Sequence, residues 1–319
     1  HMSGTEAVMG AIRTARGYTK RDRVAIVEGC FHGLNDEMMW KSDVEQWRPG
    51  DAGAPAVIPF GAGIPARTRE LVDFIQLNHF EALEELFRTH HDTLAAVLLE
   101  PIIGNAGSIA ASQTWLQRLR DLCTAQGTLL IIDEVKSGFR VAKGGAQALY
   151  GIYADLTTYA KAMGNGYPLG AVITTRAIAE AFKRQGSLFS SAGGSPVSCR
   201  IGMAVLDVMH EEKLWENAQV VGGYFKERLE ALIERHPLVG AVHGSGFYLG
   251  VELIRNRETL EPATEETTLL CDRLRELGIF MQPTGDYLNI LKIKPPMVTS
   301  RQSVDFFVDM LSKVLDEGL

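Results

Sequence analysis

Short, continuous apolar runs alternate with amphipathic segments through the first two thirds of this sequence. Apolar runs at Leu94–Leu99 and 128–132 are interleaved with helical periodicity over about 79–90 and 113–126. Strands that are apolar on both sides need cover on both sides, which is typical of parallel strands packed between helices. The sequence therefore predicts an α/β fold with a mainly parallel sheet. Further strands are expected at Arg23–Val27, 156–159 and 170–174.

Three chemically capable side chains follow the predicted strands at the points where those strands end. Glu100 comes directly after one apolar run, Asp133 ends the next, and Lys161 follows the segment 156–159. Ligands of open parallel sheets bind outside the carboxyl ends of the strands. We therefore expect these three side chains to converge on one site.

The pattern changes after about residue 196 and predicts a second, smaller α+β domain. The expected domains are 1–205, which carries the site, and 206–319. The elements expected from the change onward are helices at 196–210 and 212–235, a glycine-interrupted stretch Val239–Val251, a helix at 264–277, a strand at Leu288–Ile293 and a helix at 300–316. Residues 41–68, rich in Gly, Pro and Asp, predict a long surface loop.

Composition limits the kinds of partner that this chain can have. The net charge is −7 and no basic tract is present, which argues against nucleic acid or an anionic membrane surface. No apolar run approaches the roughly 18 residues of a membrane span. The four cysteines are scattered without a CxxC pair, which favours reduced, mostly buried thiols and a cytoplasmic location. No metal site is predicted.

The pair Asp133 and Lys161 suits pyridoxal 5′-phosphate. A lysine forms a Schiff base with this cofactor, and an aspartate keeps its pyridine nitrogen protonated so that the ring accepts electrons. Apolar residues precede Lys161 and glycines follow it, so we expect an enclosed environment that lowers the pKa of its amine. A strand-end aspartate capping a turn and a solvated surface lysine are the alternatives.

Three other segments admit a functional and a purely structural interpretation. Ser3-Gly4-Thr5 begins a helix and offers free N–H groups to a phosphate, or is simply a capped helix start. Phe31-His32-Gly33 supplies a ring for stacking, or a core aromatic. The loop Ser190–Pro196 is a second anion-binding helix start, or a linker.

The ordered motifs resemble those of class III pyridoxal phosphate aminotransferases. They are Ser3-Gly-Thr-Glu-Ala7, Phe31-His-Gly33, Glu100-Pro101, Asp133-Glu-Val135, Ala160-Lys161 and Gly166-Tyr-Pro-Leu-Gly170. The resemblance implies fold type I with a seven-stranded, mostly parallel sheet, and a homodimer with active sites at the subunit interface. It also implies an N-terminal segment before Ser3 that this sequence does not contain, so a separate N-terminal segment is a possible partner.

The resemblance implies a role for each matching residue. Lys161 is the Schiff-base lysine, and Asp133 is the partner of the pyridine nitrogen. Val135 packs on one face of the ring and Phe31 stacks on the other. The remaining cofactor-binding set is Ser3, Gly4, Thr5, His32, Glu100 and Ser191, with Gly4 and Thr5 on the phosphate and Ser191 donated by the neighbouring subunit.

Within this family the chain points two ways. Ser3–Thr19, Gly29–Gly33 and 138–147 resemble glutamate-1-semialdehyde aminomutase and its aminotransferase relatives, whereas 193–199, 261–264 and 291–297 resemble phosphoethanolamine phospholyases. Three candidate substrate residues depart from the common pattern: Lys292 replaces an arginine, Asn105 a glutamate, and Lys136 a glutamine or methionine. Lysine lacks the planar guanidinium group with which arginine forms two parallel hydrogen bonds to a carboxylate. Lys136 either adds positive charge suited to an acidic or phosphorylated substrate or is solvated.

The sequence therefore predicts an aminotransferase that moves an amino group between an amine or amino acid and a keto or aldehyde acceptor. The alternatives are a phospholyase acting on a phosphorylated amino alcohol, or an aminomutase. A truncated or split chain that is inactive alone and acts as a subunit is an alternative of another class.

Overall fold

The computed structural model describes residues 1–43, 56–185 and 188–318, which form two compact units. The first unit comprises His1–Pro101, Ala111–Phe139 and Ala146–Asp207; the second comprises Ile102–Ala110, Arg140–Gly145 and Val208–Leu319. The division into domains 1–205 and 206–319 stays a prediction. No helix among the described residues is both long and apolar enough to span a membrane.

A six-stranded sheet forms the centre of the first unit. Its strands are β1 (Arg23–Val27), β4 (Val72–Ile75), β5 (Leu94–Leu99), β8 (Leu129–Asp133), β9 (Leu156–Tyr159) and β10 (Ala171–Thr174), in the order β10-β9-β8-β5-β1-β4. All neighbours are parallel except β10, which runs antiparallel to β9. The predicted α/β fold with a mostly parallel sheet is confirmed, with six strands in the described part of the chain where the resemblance implies seven.

The central strands β5 and β8 are apolar except for Asp133 at the end of β8, because helices cover both faces of the sheet. Every residue of β5 and β8 is buried. The helices of this unit are α1 (Gly4–Thr19), α2 (Phe80–Thr89), α3 (Gln113–Gln126), α4 (Gly145–Tyr150), α5 (Arg176–Gln185) and α6 (Pro196–Glu211), which continues into the second unit. The side chains of Val8 and Ile12 on α1 pack into the same cluster as Ile26 and Leu98 of the sheet.

Local capping explains why several helix ends were predictable. Ser112 accepts a hydrogen bond from the backbone N–H of Trp115 at 3.3 Å and so begins α3. Gly127 ends it in the left-handed conformation, with φ of +65°. The predicted bounds 113–126 match the observed helix for this reason.

The second unit pairs an antiparallel sheet with long helices. Its strands are β6 (Ile102–Ile103), β7 (Ile109–Ala110), β11 (Val239–Ser245), β12 (Tyr248–Leu253), β13 (Pro283–Thr284) and β14 (Ile290–Ile293), of which β11-β12-β14-β13 form one sheet and β6-β7 another. The helices are α7 (Leu214–Arg235), α8 (Thr264–Glu276) and α9 (Arg301–Glu317). The stretch Val239–Val251 is a hairpin that turns at Gly246, where φ is +57°.

The loop predicted at 41–68 is wrong at 41–42, 57–59 and 66–68, whereas 60–65 form neither helix nor strand. Strands β2 (Trp40–Ser42) and β3 (Val57–Pro59) pair antiparallel, and a 3₁₀ helix spans Ala66–Leu71. Residues 44–55 of that prediction lie outside the described residues. Two short, partly exposed strands carry too little alternation of polar and apolar residues to be recognised from sequence.

Candidate active site

Parallel pairing brings the predicted site residues to one edge of the large sheet. Leu99 pairs with Ile132, so Glu100 and Asp133 leave neighbouring strands side by side. Asp133 in turn pairs with Thr158, three residues before Lys161. The expected convergence of these strand ends is therefore a consequence of the register of β5, β8 and β9.

Asp133 is a buried carboxylate held on both of its oxygens. Its Oδ2 lies 2.8 Å from Nδ1 of His32, and its Oδ1 accepts the backbone N–H of Val135 at 2.9 Å. Burial acts to raise the pKa of Asp133, but the hydrogen bond and charge of His32, together with the Val135 N–H and the charge of Lys136, hold this pKa below its ordinary value. Asp133 is therefore an anion inside the protein.

His32 is enclosed around this carboxylate. Its side chain is 0% exposed, and an ionised Asp133 places the proton of the imidazole on Nδ1. Its Nε2 has no hydrogen-bond partner among the protein groups of the described chain. The hydrogen bond to Asp133 is therefore the side-chain hydrogen bond that positions the His32 ring among the described residues.

Acid is expected to remove the stability that ionised Asp133 contributes. Because its pKa is lower in the folded than in the unfolded chain, this contribution is complete above the unfolded value, about pH 4, and is lost as the pH falls through the folded pKa. Urea unfolding measured at pH 7 and from pH 4.5 down to pH 3 checks this. The loss should be smaller in Asp133→Asn; equal losses in both proteins would contradict the assignment.

The start of α1 lies against the same strand ends. A Cβ on Gly4 would sit 3.3 Å from the Val135 side chain and 3.6 Å from Ala160. Ser3 caps the helix, since its Oγ accepts the Glu6 N–H at 3.2 Å. Helix starts leave N–H groups without intrahelical partners, and α1 points them, with its positive dipole end, at the neighbourhood of Val135 and Ala160.

Thr5 connects this helix start to the loop after β1. Its Oγ1 accepts the backbone N–H of Leu34 at 3.2 Å. A Cβ on Gly33 would lie 2.5 Å from that Oγ1 and 2.8 Å from the Thr5 Cα, and Gly33 has φ of +91°. Only glycine fits between the loop and the helix at this point.

Gly33→Ala is therefore expected to lower the unfolding free energy by about 2 kcal/mol or more, through left-handed backbone strain and overlap with Thr5. Chemical denaturation measures the change. Gly61→Ala is the matched control, because a Cβ there meets nothing within 4 Å. Equal stability of the two variants would show that the close approach to Thr5 is not maintained.

Lys161 begins a 3₁₀ helix, Lys161–Met163, in a strained conformation. Its φ is +46°, which is uncommon for a residue with a side chain and typical of functional sites. The expected enclosed environment is wrong for this single chain, in which Lys161 is exposed.

Lys136 is neither solvated nor an unpaired charge. Its Nζ donates to both carboxylate oxygens of Glu100 at 2.9 Å, and the two side chains are 10% and 2% exposed. The same Glu100 accepts the backbone N–H of Phe31 at 2.9 Å. The solvated interpretation of Lys136 is therefore wrong, whereas its role toward a substrate stays a prediction. The pairing with Glu100 joins residues 36 positions apart.

A buried carboxylate that the sequence did not single out supports the loop beyond β8. Glu134 is 1% exposed, accepts the Gln147 N–H at 2.9 Å, and also bonds the hydroxyl of Ser137. Burial raises the pKa of Glu134. The sequence does show a carboxylate directly after a buried strand. Asp133 lies at the end of that same strand, so this feature alone does not distinguish a carboxylate that supports a loop from one that binds a cofactor.

Of the other predicted residues, Ser191 lies on the surface of the first unit, and Asn105 and Lys292 belong to the second unit. Ser191 is exposed beside Ser190, whose Oγ accepts the Gly193 N–H at 3.0 Å. In the second unit, the Asn105 carbonyl accepts the N–H of Gly285 and the hydroxyl of Thr284, both at 2.9 Å.

Lys292 and the segment around Asn105 share one face of the antiparallel sheet. Lys292 pairs with Gly250, and a Cβ on Gly250 would lie 2.1 Å from the Gly107 carbonyl. Paired residues of antiparallel strands project to the same face, so Lys292 lies on the side of β12 and β14 that faces Gly107, two residues after Asn105.

The donor set of the first unit fits pyridoxal 5′-phosphate. Buried, anionic Asp133 suits a protonated ring nitrogen, the start of α1 suits a phosphate, and Lys161 supplies an amine at the neighbouring strand end. Among the described residues, no group of three or more His, Cys, Asp or Glu side chains could hold a metal ion.

Comparison with known proteins gives matches over nearly the whole chain. A family model described as "Aminotransferase class-III" matches residues 1–315. Alanine–glyoxylate aminotransferase 2 homolog 2, mitochondrial, from Arabidopsis thaliana is 36% identical over 319 residues, covering 97% of this chain and 64% of that protein. Glutamate-1-semialdehyde 2,1-aminomutase from Persephonella marina is 34% identical over 316 residues, covering 98% and 72%. The chain thus spans about two thirds of the length of these relatives.

A solved structure shows the same architecture. A phospholyase from Arthrobacter in complex with phosphoethanolamine is similar to this chain with a TM-score of 0.85 and 26% identity. The match covers 100% of this chain and 76% of the phospholyase chain. Both resemblances identified in the sequence, to aminomutases and to phospholyases, are therefore confirmed.

Proposed function

The chain belongs to the class III aminotransferases, and on this premise we propose that it is a pyridoxal phosphate-dependent aminotransferase. It would move an amino group between an amine or amino acid donor and a keto or aldehyde acceptor. One observation carries the proposal: buried, anionic Asp133 lies at the end of β8, beside the strand that leads to Lys161. The pyridine nitrogen of the cofactor needs a carboxylate such as that of Asp133, and its aldehyde needs an amine such as that of Lys161.

Each candidate residue would hold one part of the cofactor. Asp133 would accept a hydrogen bond from the protonated ring nitrogen. His32 would fix the position of the Asp133 carboxylate. Val135 and Phe31 would contact opposite faces of the ring. The N–H groups of Gly4 and Thr5 would bind the phosphate together with Ser3, and Ser191 of a second copy would add a hydroxyl.

The residues of this chain would then orient groups and move protons. When bound, the cofactor supplies an electron sink for the bonding pair of the substrate carbon. Lys161 would bond to the cofactor's aldehyde carbon in the resting enzyme. Once an amine substrate displaces it, its Nζ would carry a proton between the substrate carbon and the cofactor's C4′. Asp133 would keep the ring nitrogen cationic throughout.

Elimination of phosphate from a phosphorylated amino alcohol is the second candidate function. The similarity to the Arthrobacter phospholyase and the replacement of the usual arginine by Lys292 favour it. An aminomutase reaction is favoured by the Persephonella relative. All three reactions would use Lys161 and Asp133 in the same way, so the outcome depends on substrate contacts.

We also infer a homodimer, a cytoplasmic location and the domains 1–205 and 206–319. Exposed apolar side chains support the homodimer, because a monomer leaves them in water. They are Tyr167, Phe189, Val197, Met203 and Leu206, with Phe189 84% exposed. The four free cysteines support a reducing compartment. A separate N-terminal segment would be a further partner, and a chain that is inactive without it is the alternative of another class.

A product assay separates these functions. The purified chain, loaded with pyridoxal phosphate, is offered a panel of amines with and without a phosphate group, and the cofactor's spectrum is followed. Conversion to pyridoxamine phosphate, reversed by a keto acid, is expected. Release of phosphate and ammonia without an acceptor would establish the lyase instead, and absence of turnover with every amine would favour the split-chain alternative.

A further inference from the structure

Lys136 lies in a buried ion pair with Glu100. Its ammonium contacts both oxygens of Glu100 at 2.9 Å, so the two charges offset each other. The Lys136 side chain is 10% exposed. Substitution of either partner of such a buried pair is destabilising, because the remaining charge is then buried without an opposite charge.

The same carboxylate holds the aromatic residue of the site. Glu100 Oε1 accepts the Phe31 backbone N–H at 2.9 Å, and Nζ of Lys136 lies 5.9 Å from the centroid of the Phe31 ring. One side chain from the end of β5 therefore connects the loop after β1 with the loop after β8. The ammonium also contributes a cation–π contact to the ring.

The loop that carries Phe31 is also held after Phe31, by His32 on Asp133 and by the Leu34 N–H on Thr5, whereas the Glu100 contact is made at Phe31 itself. Gly29 and Gly33 flank Phe31, with φ of +78° and +91°. Glycines lose more backbone conformational entropy on folding than other residues, so ordering this loop is costly. The Phe60 ring adds one tilted contact, at 6.1 Å between centroids. Phe60 is itself half exposed, so it is a weak support.

We propose that Lys136 is a positioning residue that, through Glu100, fixes the ring of Phe31 against the cofactor. The Glu100–Lys136 pair sets the backbone of Phe31 through the N–H contact and the tilt of its ring through the ammonium. Lys136 is thereby a determinant of cofactor affinity and of stacking geometry, and does not bind substrate. This inference rests on the proposed function, because Phe31 is assigned there to the cofactor.

The test places 4-fluorophenylalanine at position 31 by site-specific incorporation and records its ¹⁹F resonance in the cofactor-free chain. The variants are Lys136→Met, Lys136→Arg and the double variant Glu100→Gln/Lys136→Met, with exposed Lys143→Met as the matched control. The double variant leaves no unpaired buried charge, so it keeps the test decisive if Lys136→Met alone fails to fold. The dissociation constant of pyridoxal phosphate is then measured for each.

The wild type and Lys143→Met should give the same single resonance, and Lys136→Arg should stay close to it. Lys136→Met and the double variant should shift or broaden the resonance beyond its own line width. They should also bind the cofactor about 3- to 10-fold more weakly, the range expected from loss of one stacking contact.

An unchanged resonance, or an unchanged dissociation constant in a variant whose resonance moves, would overturn the inference while leaving the proposed function intact. A wild-type chain that does not bind pyridoxal phosphate would overturn the proposed function and the inference together. A simply structural role would lower the stability of Lys136→Met without moving the resonance of the folded double variant.

Discussion

Lys161→Ala is expected to reduce transamination by about 10³-fold or more, because the amine of Lys161 is assigned both to bond the cofactor's aldehyde and to carry the proton. The variant should also release pyridoxal phosphate during gel filtration, since the covalent attachment is gone. Steady-state rates with an established donor and the absorbance of the eluted protein measure the two effects.

The design includes a control and a rescue. Lys183→Ala removes an exposed lysine of α5 and should leave both measurements unchanged. Added methylamine should restore part of the proton-transfer activity of Lys161→Ala, because a small amine can occupy the space of the missing side chain. Wild-type rates in Lys161→Ala would end the assignment of this lysine.

Asp133→Asn is expected to cost about 10³-fold in turnover, the size of effect seen when a preorganised charge contact is removed from a site. Asparagine cannot hold the ring nitrogen cationic. An amide keeps both contacts only if its oxygen stays on the Val135 N–H and His32 changes tautomer, so that Nδ1 accepts from the amide NH2. The proton then sits on Nε2 of His32, which has no hydrogen-bond partner among the described protein groups.

A cofactor analogue distinguishes loss of charge from loss of structure. Pyridoxal phosphate methylated at the ring nitrogen carries its positive charge permanently, so it should recover activity in Asp133→Asn but not in Lys161→Ala. Asp22→Asn, at an exposed position outside the site, is the control and should behave as wild type. If Asp133→Asn loses activity and the methylated cofactor restores none of it, Asp133 stabilises the protein structure and does not act on the ring nitrogen.

Local signals explain which elements could be predicted. The bounds of α3 follow from Ser112 and Gly127, and the strands β5 and β8 follow from unbroken apolar runs. Helix α5, Arg176–Gln185, was missed although Thr175 accepts the Ile178 N–H near its start. A helix of ten residues with one buried side chain shows only a short apolar stripe, which is easily overlooked directly after strand β10.

Non-local pairing explains what could not be predicted. The antiparallel direction of β10 is set by its neighbour β9 and not by its own residues. The sequence identified Glu100 and Lys136 separately, but their pairing depends on the register of β5 and β8. The exposure of Lys161 likewise depends on what the rest of the structure places above it, which flanking apolar residues do not reveal.

The roles proposed for the other site residues all require that Lys161 binds pyridoxal phosphate covalently. Borohydride reduction of the loaded, purified protein fixes that bond, and peptide mass spectrometry then locates it. We expect one pyridoxyl group per chain, on the peptide that contains Lys161, and none after the same treatment of Lys161→Ala. Label on a different lysine, or a loaded wild type that carries no label, would contradict the central claim.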